Sequence, residues 1–382
     1  MKKSLIVTGV LAATAVLFSA CAPAGVPQAD YDALKAQLDA ANAKVTELEA
    51  AASSATDTGG STAAGSGATL AAVKARGSLK CGGNANLPGF GFQQSDGTFS
   101  GFDVDYCRVI ATAALGDATK FEVTALSGTD RFPALQAGEV DVLIRNTTWT
   151  VSRDTQLGFN FGPTTFYDGQ GMMVRADSGI TDLEGLRGKS VCVQQGTTTE
   201  KNLADVMRGL DIEFEQITFP DADPTRDAYD QGRCDGFTTD KSGLIATRTQ
   251  LTKPEDHIIL EVTMSKEPLG PLVRHGDDQW KDTMDWAVYC TFAAEEYGIS
   301  SANVDDMMKS DDPVIRSLLG VEGDLGSQMG LSNDFCYQIV KQVGNYEEIY
   351  NRNLGPDTPY NVPRGVNSLW TAGGLLYAPP YR

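Results

Sequence analysis

The chain has 382 residues, of which 41 % are hydrophobic, so it is long enough for one large or two medium-sized domains with buried cores. Aspartate and glutamate number 50 against 31 lysines and arginines, which gives a formal net charge of −19. This acidic balance argues against a nucleic-acid-binding protein, whose surface would be basic.

The first 20 residues have the features of a secretory signal peptide. Lys2 and Lys3 give a basic start, an apolar run extends from Leu5 to Phe18, and small residues precede Cys21. Small residues directly before a cysteine resemble the bacterial lipobox, although Phe18 stands where that motif prefers leucine. We therefore expect Cys21 to be lipidated and to hold the protein on the outer side of a membrane, in the periplasm or at the cell surface. The alternative is an ordinary signal peptide whose removal discards Cys21.

Residues 21–68 are predicted to form a stalk and a linker. Apolar residues recur at alternating spacings of three and four between Tyr31 and Leu48, which is typical of a heptad pattern. We interpret this segment as a stalk helix that holds the body away from the membrane; an oligomerising coiled coil is the alternative. Residues 52–68 are rich in Gly, Ser, Ala and Thr, as in flexible linkers, so the folded body is expected to begin near Thr69.

An even number of cysteines follows Cys21, which in an exported protein suggests disulfide bonds. Six cysteines allow fifteen connectivities. The sequence has no CxxC pair and only two histidines, His257 and His275, so no zinc site or redox motif is predicted, and no cofactor. The six cysteines are Cys81, Cys107, Cys192, Cys234, Cys290 and Cys336.

From residue 78 onward, strand-like and helix-like segments alternate. In chain order the pattern predicts a strand at 78–83, a helix at 102–115, a strand at 121–126, a helix at 130–139 and a strand at 140–146; it then predicts a strand at 190–195, a helix at 199–210, a strand at 214–219, a helix at 225–234 and a strand at 235–240. Strands that alternate with helices favour an α/β protein with parallel sheets.

A weak internal repeat relates residues 134–146 to residues 228–240. Alanine, glycine and aspartate recur at matching positions, and each aspartate is followed five residues later by a polar residue, Asn146 or Asp240. Two similar units predict two similar lobes. Ligands of open α/β sheets bind beyond the carboxyl ends of the strands, where Asn146 and Asp240 are expected to lie.

The stretch RNTTWTVSRD, residues 145–154, is unusually polar for the end of a buried strand. Hydroxyls and free backbone N–H groups at a helix N-terminus suit an anion, and Arg153 can hold a carboxylate through two charge-assisted hydrogen bonds. The alternative is a helix capped by Thr150 or Ser152, with Arg153 in solvent.

Two further motifs complete a candidate ligand site. In QQGTTTEKNLADV, residues 194–206, a glycine and hydroxyls again precede a helix, and Thr197 and Glu200 have the spacing of a capping box. In GFTTD, Asp240 can accept hydrogen bonds from an ammonium group, although a surface carboxylate is the alternative. An arginine with hydroxyls for a carboxylate, and an aspartate for an ammonium, together predict an α-amino acid ligand.

These motifs resemble the family 3 solute-binding proteins of amino-acid ABC transporters, most of all the general L-amino-acid-binding group. The resemblance implies a two-lobed periplasmic-binding-protein fold of type II, in which each lobe is a parallel or mixed sheet flanked by helices and two strands form the hinge. It covers roughly residues 70–382. The matching stretches are GFDVDYCRVIA, SGTDRFPALQAGEVDVLIRNTTWTVSRDTQLGFNF, YDGQGMMVR, VCVQQGTTTEKNL, AYDQGRCDGFTTDKSGL, SKEPLGPLVRHGDDQW, VGNYEEIYNRNLG and GGLLYAPPYR.

The resemblance also implies roles for individual residues. Arg153 is expected to bind the α-carboxylate of the ligand, assisted by Thr148 and by the amide or hydroxyl of Thr198. Asp240 is expected to bind the α-ammonium, with Asn146 nearby. The loop GGNANLPGFGF is expected to line the side-chain pocket, and its lack of an acidic residue fits broad specificity or polar and acidic ligands. The loop residues concerned are Asn84, Leu87 and Phe90.

With the elements placed in this way, the cysteines are expected to pair in sequence order. Cys81 ends the first strand and Cys107 lies on the next helix, while the second pair lies on neighbouring elements of the second lobe. The third pair lies in predicted helices of the C-terminal part. The predicted bridges are Cys81–Cys107, Cys192–Cys234 and Cys290–Cys336.

The predicted mechanism is hinge closure around the ligand, with delivery to the permease subunits of an ABC transporter. Lobe 1 is expected to comprise residues 69–168 and 268–382, and lobe 2 residues 169–267. A dehydratase acting on an amino-acid-like cyclohexadienyl compound is the rival from another class, but it needs a general acid, and no histidine lies near the motifs. A ligand sensor is a second rival. We therefore expect a binding protein rather than an enzyme.

Overall fold

The structure is a computed structural model, and it describes residues 67–382. The signal peptide, Cys21, the heptad segment and nearly all of the linker lie outside these residues. Within the described part, no helix combines the length and the apolar character needed to cross a membrane. The first described helix starts at Ala68, where the Gly67 and Thr69 amides each donate to the Asp277 carboxylate over 2.7 Å.

Strands and helices alternate along much of the described chain. The strands are β1 Leu79–Gly83, β2 Asn86–Leu87, β3 Gly91–Gln93, β4 Phe99–Ser100, β5 Phe121–Ala125, β6 Val142–Leu143, β7 Phe159–Phe161, β8 Phe166–Asp168, β9 Met173–Arg175, β10 Ser190–Gln194, β11 Glu215–Phe219, β12 Gly236–Phe237, β13 His257–Ile259, β14 Glu267–Leu269 and β15 Leu272–Arg274. The α-helices are α1 Ala68–Arg76, α2 Phe102–Leu115, α3 Arg131–Gln136, α4 Thr198–Gly209, α5 Ala222–Asp230, α6 Lys241–Arg248, α7 Asp278–Glu296, α8 Val304–Met307, α9 Pro313–Leu318, α10 Leu325–Gln328, α11 Phe335–Gln342 and α12 Tyr346–Leu354.

Two five-stranded sheets form the centres of two lobes. The first sheet has the order β5-β1-β6-β15-β7, and the second has the order β11-β10-β12-β9-β13. In each sheet the first three strands of that order run parallel, and the fourth strand, β15 or β9, runs antiparallel to both of its neighbours. The prediction of two lobes that each contain a mixed sheet with helices is therefore confirmed.

The internal repeat corresponds to equivalent helix–strand units in the two sheets. Gly138 and Gly232 both have positive φ, 75° and 81°, and each follows a helix, a position that favours glycine. Asp141 accepts from the Lys80 amide over 2.8 Å, and Asp235 accepts from the Ser190 amide over 2.9 Å. Each aspartate thus fastens the start of its strand to the neighbouring central strand, which explains why the pattern recurs.

The chain crosses between the sheets through the antiparallel strands β8 and β14. Tyr167 in β8 is held by Asn367, whose Oδ1 accepts from the Tyr167 amide over 2.7 Å and whose Nδ2 donates to the Tyr167 carbonyl over 3.1 Å. In addition, the Tyr346 hydroxyl donates to the Thr165 carbonyl over 2.9 Å, just before β8. The C-terminal part of the chain therefore supports one of the two crossing strands.

The core of the first lobe extends into the C-terminal helices. Helices α2, α7, α11 and α12 pack against one another. Phe102 on α2 lies at the centre of an aromatic cluster, with ring centroids 5.8 Å from Tyr346, 6.2 Å from Tyr350 and 5.9 Å from Phe166. The C-terminal helices are thus integral to this core, and burial of aromatic rings of this size is a large source of stability.

All three predicted disulfide bonds are present. The Cα atoms of Cys81 and Cys107 are 6.1 Å apart, those of Cys192 and Cys234 are 5.7 Å apart, and those of Cys290 and Cys336 are 5.6 Å apart. These separations lie in the usual range for disulfides. Cys81 lies on β1 and Cys192 on β10, so the first two bridges anchor the equivalent central strand of each sheet to a neighbouring element.

Candidate functional site

The polar stretches that follow β6 and β10 meet across the space between the lobes. The Thr148 and Thr198 hydroxyl oxygens are 3.3 Å apart, although one threonine belongs to each lobe. Asp240 follows β12, and its backbone forms an isolated antiparallel bridge with Gln170, near the crossing strands. The carboxyl ends of the strands thus bring the predicted residues of both lobes to one cleft, as expected for α/β sheets.

The segment around Arg153 differs from the expected helix start. Residues Ser152–Gln156 form a short π-helical turn, not an α-helix, so this loop has no extended helix dipole to attract an anion. Gly158, with φ of 73°, follows the turn and ends it. Turns of this kind often occur at functional sites, because they change the direction of one side chain.

The π-turn directs Arg153 inward. The side chain is only 7 % exposed, its Nη1 donates to the Thr148 carbonyl over 2.8 Å, and its guanidinium carbon lies 5.0 Å from the centre of the Phe132 ring. Burial lowers the pKa of Arg153 to about 10, so the group remains a cation at neutral pH. The alternative of a solvated arginine does not describe this residue.

Asp240 is also buried, at 6 % exposure, and its Oδ1 has no hydrogen-bond partner among residues 67–382. It precedes α6 but does not cap that helix. Burial raises the pKa of Asp240 well above its usual value; the nearby carboxylates of Asp168 and Glu267 raise it further, while Arg131 and Arg153 oppose the shift. An enclosed carboxylate with an unpaired oxygen is well suited to accept from a cationic donor.

The start of α4 has the predicted cap, with one difference. The Thr197 hydroxyl accepts from the Glu200 amide over 3.1 Å, but the Glu200 side chain accepts from the Gly196 amide over 2.8 Å and does not reach back to Thr197. The cap therefore satisfies one amide in the first turn of α4, that of Glu200, and leaves Thr198 at the cleft.

The side chains of the predicted pocket loop are buried in three different settings. The Asn84 side chain lies 3.4 Å from that of Asn146, whose backbone has φ of 33° and whose amide donates to Asp103 over 2.7 Å. Leu87 faces Gly243 of the second lobe. Phe90 packs in the aromatic core, 5.3 Å from the Phe166 ring and 6.0 Å from that of Phe102. A role in lining the pocket stays a prediction for all three.

Sequence reasoning missed Glu267 as a site residue, although it lies in SKEPLGPLVRHGDDQW, one of the stretches that carry the family resemblance. The Glu267 side chain is 1 % exposed and accepts hydrogen bonds from both lobes. The available signal was an ionisable residue directly before the apolar stretch PLGPLV. Such a residue, once buried, requires hydrogen-bond partners, so its neighbours were candidates for the site.

Arg131 was also missed as a site residue. It is fully buried, and its Nη1 donates to the Arg145 carbonyl over 3.3 Å and to the Thr147 hydroxyl over 3.2 Å. Burial and the neighbouring arginines Arg145 and Arg153 lower the pKa of Arg131. Arg131 stands at the start of a predicted helix, in Asp130-Arg131-Phe132, and nothing in that pattern indicated that it lies near Arg145 and Arg153.

A cavity of about 460 Å³ opens between the lobes beside Arg153. Phe132 and Gln156 contribute to it from the first lobe, and Thr198 and Asn202 from the second. The cavity therefore leads from solvent to the predicted carboxylate site.

Comparison with known proteins agrees with this architecture. Residues 79–299 match the family model described as bacterial extracellular solute-binding proteins, family 3. The chain is 50 % identical over 321 residues to the general L-amino acid-binding periplasmic protein AapJ of Rhizobium johnstonii, covering 84 % of this chain and 94 % of that protein. It is 47 % identical over 320 residues to the glutamate/glutamine/aspartate/asparagine-binding protein BztA of Rhodobacter capsulatus, covering 84 % and 95 %.

Solved structures give the same result. A periplasmic binding protein of an ABC transporter from Brucella ovis, with glutathione bound, is 49 % identical with a TM-score of 0.81, over 82 % of this chain and 99 % of that one. An ancestral arginine-binding protein bound to arginine is 28 % identical with a TM-score of 0.53, over 73 % and 99 %. The predictions of a type II periplasmic-binding-protein fold and of a binding protein rather than an enzyme are thereby confirmed. The chain belongs to the bacterial extracellular solute-binding proteins of family 3.

Proposed function

We propose that this protein is an extracytoplasmic receptor that captures L-amino acids by closing its two lobes and delivers them to the permease of an ABC transporter. Membership of family 3 supports the receptor role. The names of the relatives from Rhizobium johnstonii and Rhodobacter capsulatus support amino acids as the ligand class.

The observation that carries this proposal is a buried guanidinium and a buried carboxyl group, on different lobes, at one cleft. One nitrogen of the enclosed Arg153 guanidinium donates to the Thr148 carbonyl, which leaves its other nitrogens for a ligand. Within residues 67–382, one oxygen of the Asp240 carboxyl group has no partner. An α-amino acid supplies a carboxylate for the first and an ammonium for the second. A ligand that contacts both lobes binds the closed state better than the open state, and this difference drives closure.

In this proposal Arg153 and the backbone amide of Thr198 donate to the α-carboxylate, and Thr148 lies beside them. Asp240 binds the α-ammonium, with Asn146 nearby. The side chain of the ligand lies against the loop that contains Asn84, Leu87 and Phe90. Because Asn84 is a neutral amide, the loop fits either broad specificity or polar and acidic amino acids.

The hinge in this proposal consists of β8 and β14. Lobe 1 comprises residues 69–168 and 268–382, and lobe 2 comprises residues 169–267, so that two chain crossings join them. Lipidation of Cys21 retains the receptor at the membrane next to its permease. The sequence before Cys21 supports this anchor.

A second ligand class is favoured by one specific comparison, the glutathione-bound relative from Brucella ovis. Glutathione carries an α-carboxylate and an α-ammonium on its γ-glutamyl residue, so it presents the same pair of charges as a free amino acid. The open cavity beside Arg153 gives space for the remainder of such a peptide. A γ-glutamyl peptide is therefore the second candidate ligand.

Calorimetric titration tests both classes. The protein is unfolded in denaturant without reductant, so that the disulfides stay intact and any bound ligand is removed, and is then refolded. It is titrated with the twenty L-amino acids, glutathione and, as a control for stereochemistry, D-glutamate. Binding of several L-amino acids with a Kd of about 1 μM or tighter, roughly −8 kcal/mol, is the expected result. Binding of glutathione alone would replace the first ligand class by the second, and no binding at all would refute both.

A further inference from the structure

Glu267 accepts hydrogen bonds from both lobes at the cleft. Its Oε2 accepts from the Thr148 hydroxyl over 2.5 Å and from the Thr198 hydroxyl over 3.0 Å. Its Oε1 accepts from the side-chain Nδ2 of Asn202 over 2.7 Å and from the Ser265 hydroxyl over 2.5 Å. One carboxylate on a crossing strand thus bonds the loop after β6, the first turns of α4 and the segment just before its own strand.

The burial of this carboxylate makes these four donors important. A charge that leaves water requires hydrogen bonds to replace its hydration, and no cation contacts Glu267 directly in the described part of the chain. Thr198 and Asn202 belong to the opposite side of the cleft from Thr148. All four hydrogen bonds therefore form together only when the lobes are closed.

These contacts also determine which hydrogen bonds the two threonine hydroxyls can still make to a ligand. A hydroxyl has a single proton, and both Thr148 and Thr198 donate theirs to Glu267. Neither hydroxyl is then a donor for a ligand carboxylate, which leaves that role to Arg153 and the backbone amide of Thr198. The hydroxyls contribute to the site as acceptors.

We propose that Glu267 is the residue that holds the cleft closed. It ties together the two threonines that flank the ligand site, and it increases the closed fraction of the empty protein without touching the ligand. The inference rests on the proposed function in one respect: the closure that Glu267 controls is the closure by which the ligand is held. Since only closed molecules retain ligand, a smaller closed fraction weakens the apparent affinity in proportion.

The test compares Glu267→Gln with Asp235→Asn, a matched carboxylate-to-amide change whose hydrogen-bond partner Ser190 lies in the same lobe. Nitroxide labels at the exposed positions Thr155→Cys and Arg208→Cys, one per lobe in a Cys21→Ala background, report the opening of the cleft by electron-electron double resonance. The full chain is used, and melting curves establish that each variant is folded.

In the ligand-free parent protein, some molecules are expected to show a short distance between the two labels. This population is expected to be smaller in Glu267→Gln and unchanged in Asp235→Asn. At saturating ligand all three share the short distance. Ligand dissociation from Glu267→Gln is expected to be about tenfold faster. Equal distance distributions for empty Glu267→Gln and Asp235→Asn, or no short-distance population in the empty parent, would overturn the proposal.

Thr148→Val provides a second variant if Glu267→Gln does not fold, because it removes the donor that reaches Glu267 from lobe 1. It is expected to shift the empty protein toward longer distances, but less far. An unchanged distribution would also overturn the proposal. The measurement on the empty protein needs no ligand, so failure of the proposed function is recognised separately, as the absence of any ligand-induced change in the parent.

Discussion

The hydroxyl oxygens of Thr148 and Thr198 lie 3.3 Å apart and join the loop after β6 of one lobe to the first residue of α4 in the other. The two lobes are therefore in contact, and the cleft is in its closed arrangement. Closure encloses Arg153 on one side and Asp240 on the other. Binding energy at such a site depends on whether each enclosed charge finds a partner.

Replacement of Arg153 by alanine is expected to weaken amino-acid binding by about 2–5 kcal/mol, because the ligand carboxylate would be buried without its cation. Arg153→Lys is expected to weaken binding as well, since an ammonium does not reproduce the planar fork of the guanidinium. Calorimetry with the tightest ligand measures both changes.

Arg187→Ala is the control for that comparison. Arg187 lies on the surface and pairs with Glu184 over 2.7 Å, so its loss is expected to change neither folding nor affinity measurably. Unchanged affinity in Arg153→Ala would show that the carboxylate is bound elsewhere.

Ligand binding is expected to release a proton from Asp240. Burial and neighbouring carboxylates raise the pKa of Asp240 in the empty closed protein. A bound ammonium favours the ionised form, so it lowers this pKa and expels the proton. Affinity for the amino acid therefore falls as the pH is lowered through the pKa of Asp240 in the empty protein, and it rises as the pH is raised. Calorimetry in two buffers of different ionisation enthalpy measures the number of protons released.

Asp240→Asn supplies the control for proton release. The amide cannot titrate, so the variant is expected to bind more weakly and to release no proton from this position. The same proton release in the variant as in the parent would assign the titration to another group, of which Asp168 is the first candidate, because burial raises its pKa to about 6.

Removal of the disulfides is expected to lower stability in an order set by the length of chain they enclose. The Cys192–Cys234 bridge spans 42 residues and the Cys81–Cys107 bridge spans 26. Double substitution to alanine at either bridge is expected to cost about 2–4 kcal/mol in the free energy of unfolding, with the larger loss for the longer loop. Urea denaturation measures both. The reverse order would indicate that the surroundings of the bridges outweigh loop entropy.

Replacement of Cys21 by alanine is expected to move the protein from the membrane fraction to the soluble extracytoplasmic fraction, because the lipid chains are its only proposed anchor. Intact mass spectrometry of the parent protein gives the independent measurement, since a lipidated Cys21 would be the first residue. A parent protein that is already soluble and starts after Cys21 would support ordinary signal cleavage.

Local sequence patterns predicted the main elements of the fold because those elements have local causes. Helix α2 has the predicted bounds, 102–115, since its apolar periodicity is enclosed between Gly101 and Gly116. Strand β6 is shorter than predicted, and α5 begins three residues earlier, at Ala222. Boundaries of this kind depend on pairing with other strands and on caps, which weigh little in a local pattern.

The arrangement of the candidate site was predictable where a motif repeats and unpredictable where distant segments meet. The positions of Asn146 and Asp240, after equivalent strands of the two sheets, followed from the repeat. The π-turn around Arg153 did not, because SRDTQL has the composition of an ordinary helix start. Glu267 acquires its role from residues 119 and 69 positions away in the chain, Thr148 and Thr198, and no local pattern encodes those contacts.

The side chain of Asn367 holds the backbone of Tyr167, 200 residues earlier, inside β8, one of the two strands that cross between the sheets. This strand is thus supported by a residue that belongs to none of the ligand-site motifs. With β8 in the proposed hinge, substitutions in the C-terminal segment are expected to alter how long a ligand is retained while every pocket side chain stays the same. Two transporters with identical pockets need not have identical uptake kinetics, and a fluorescent amino-acid biosensor built on this scaffold has in Asn367 a position for adjusting its working range.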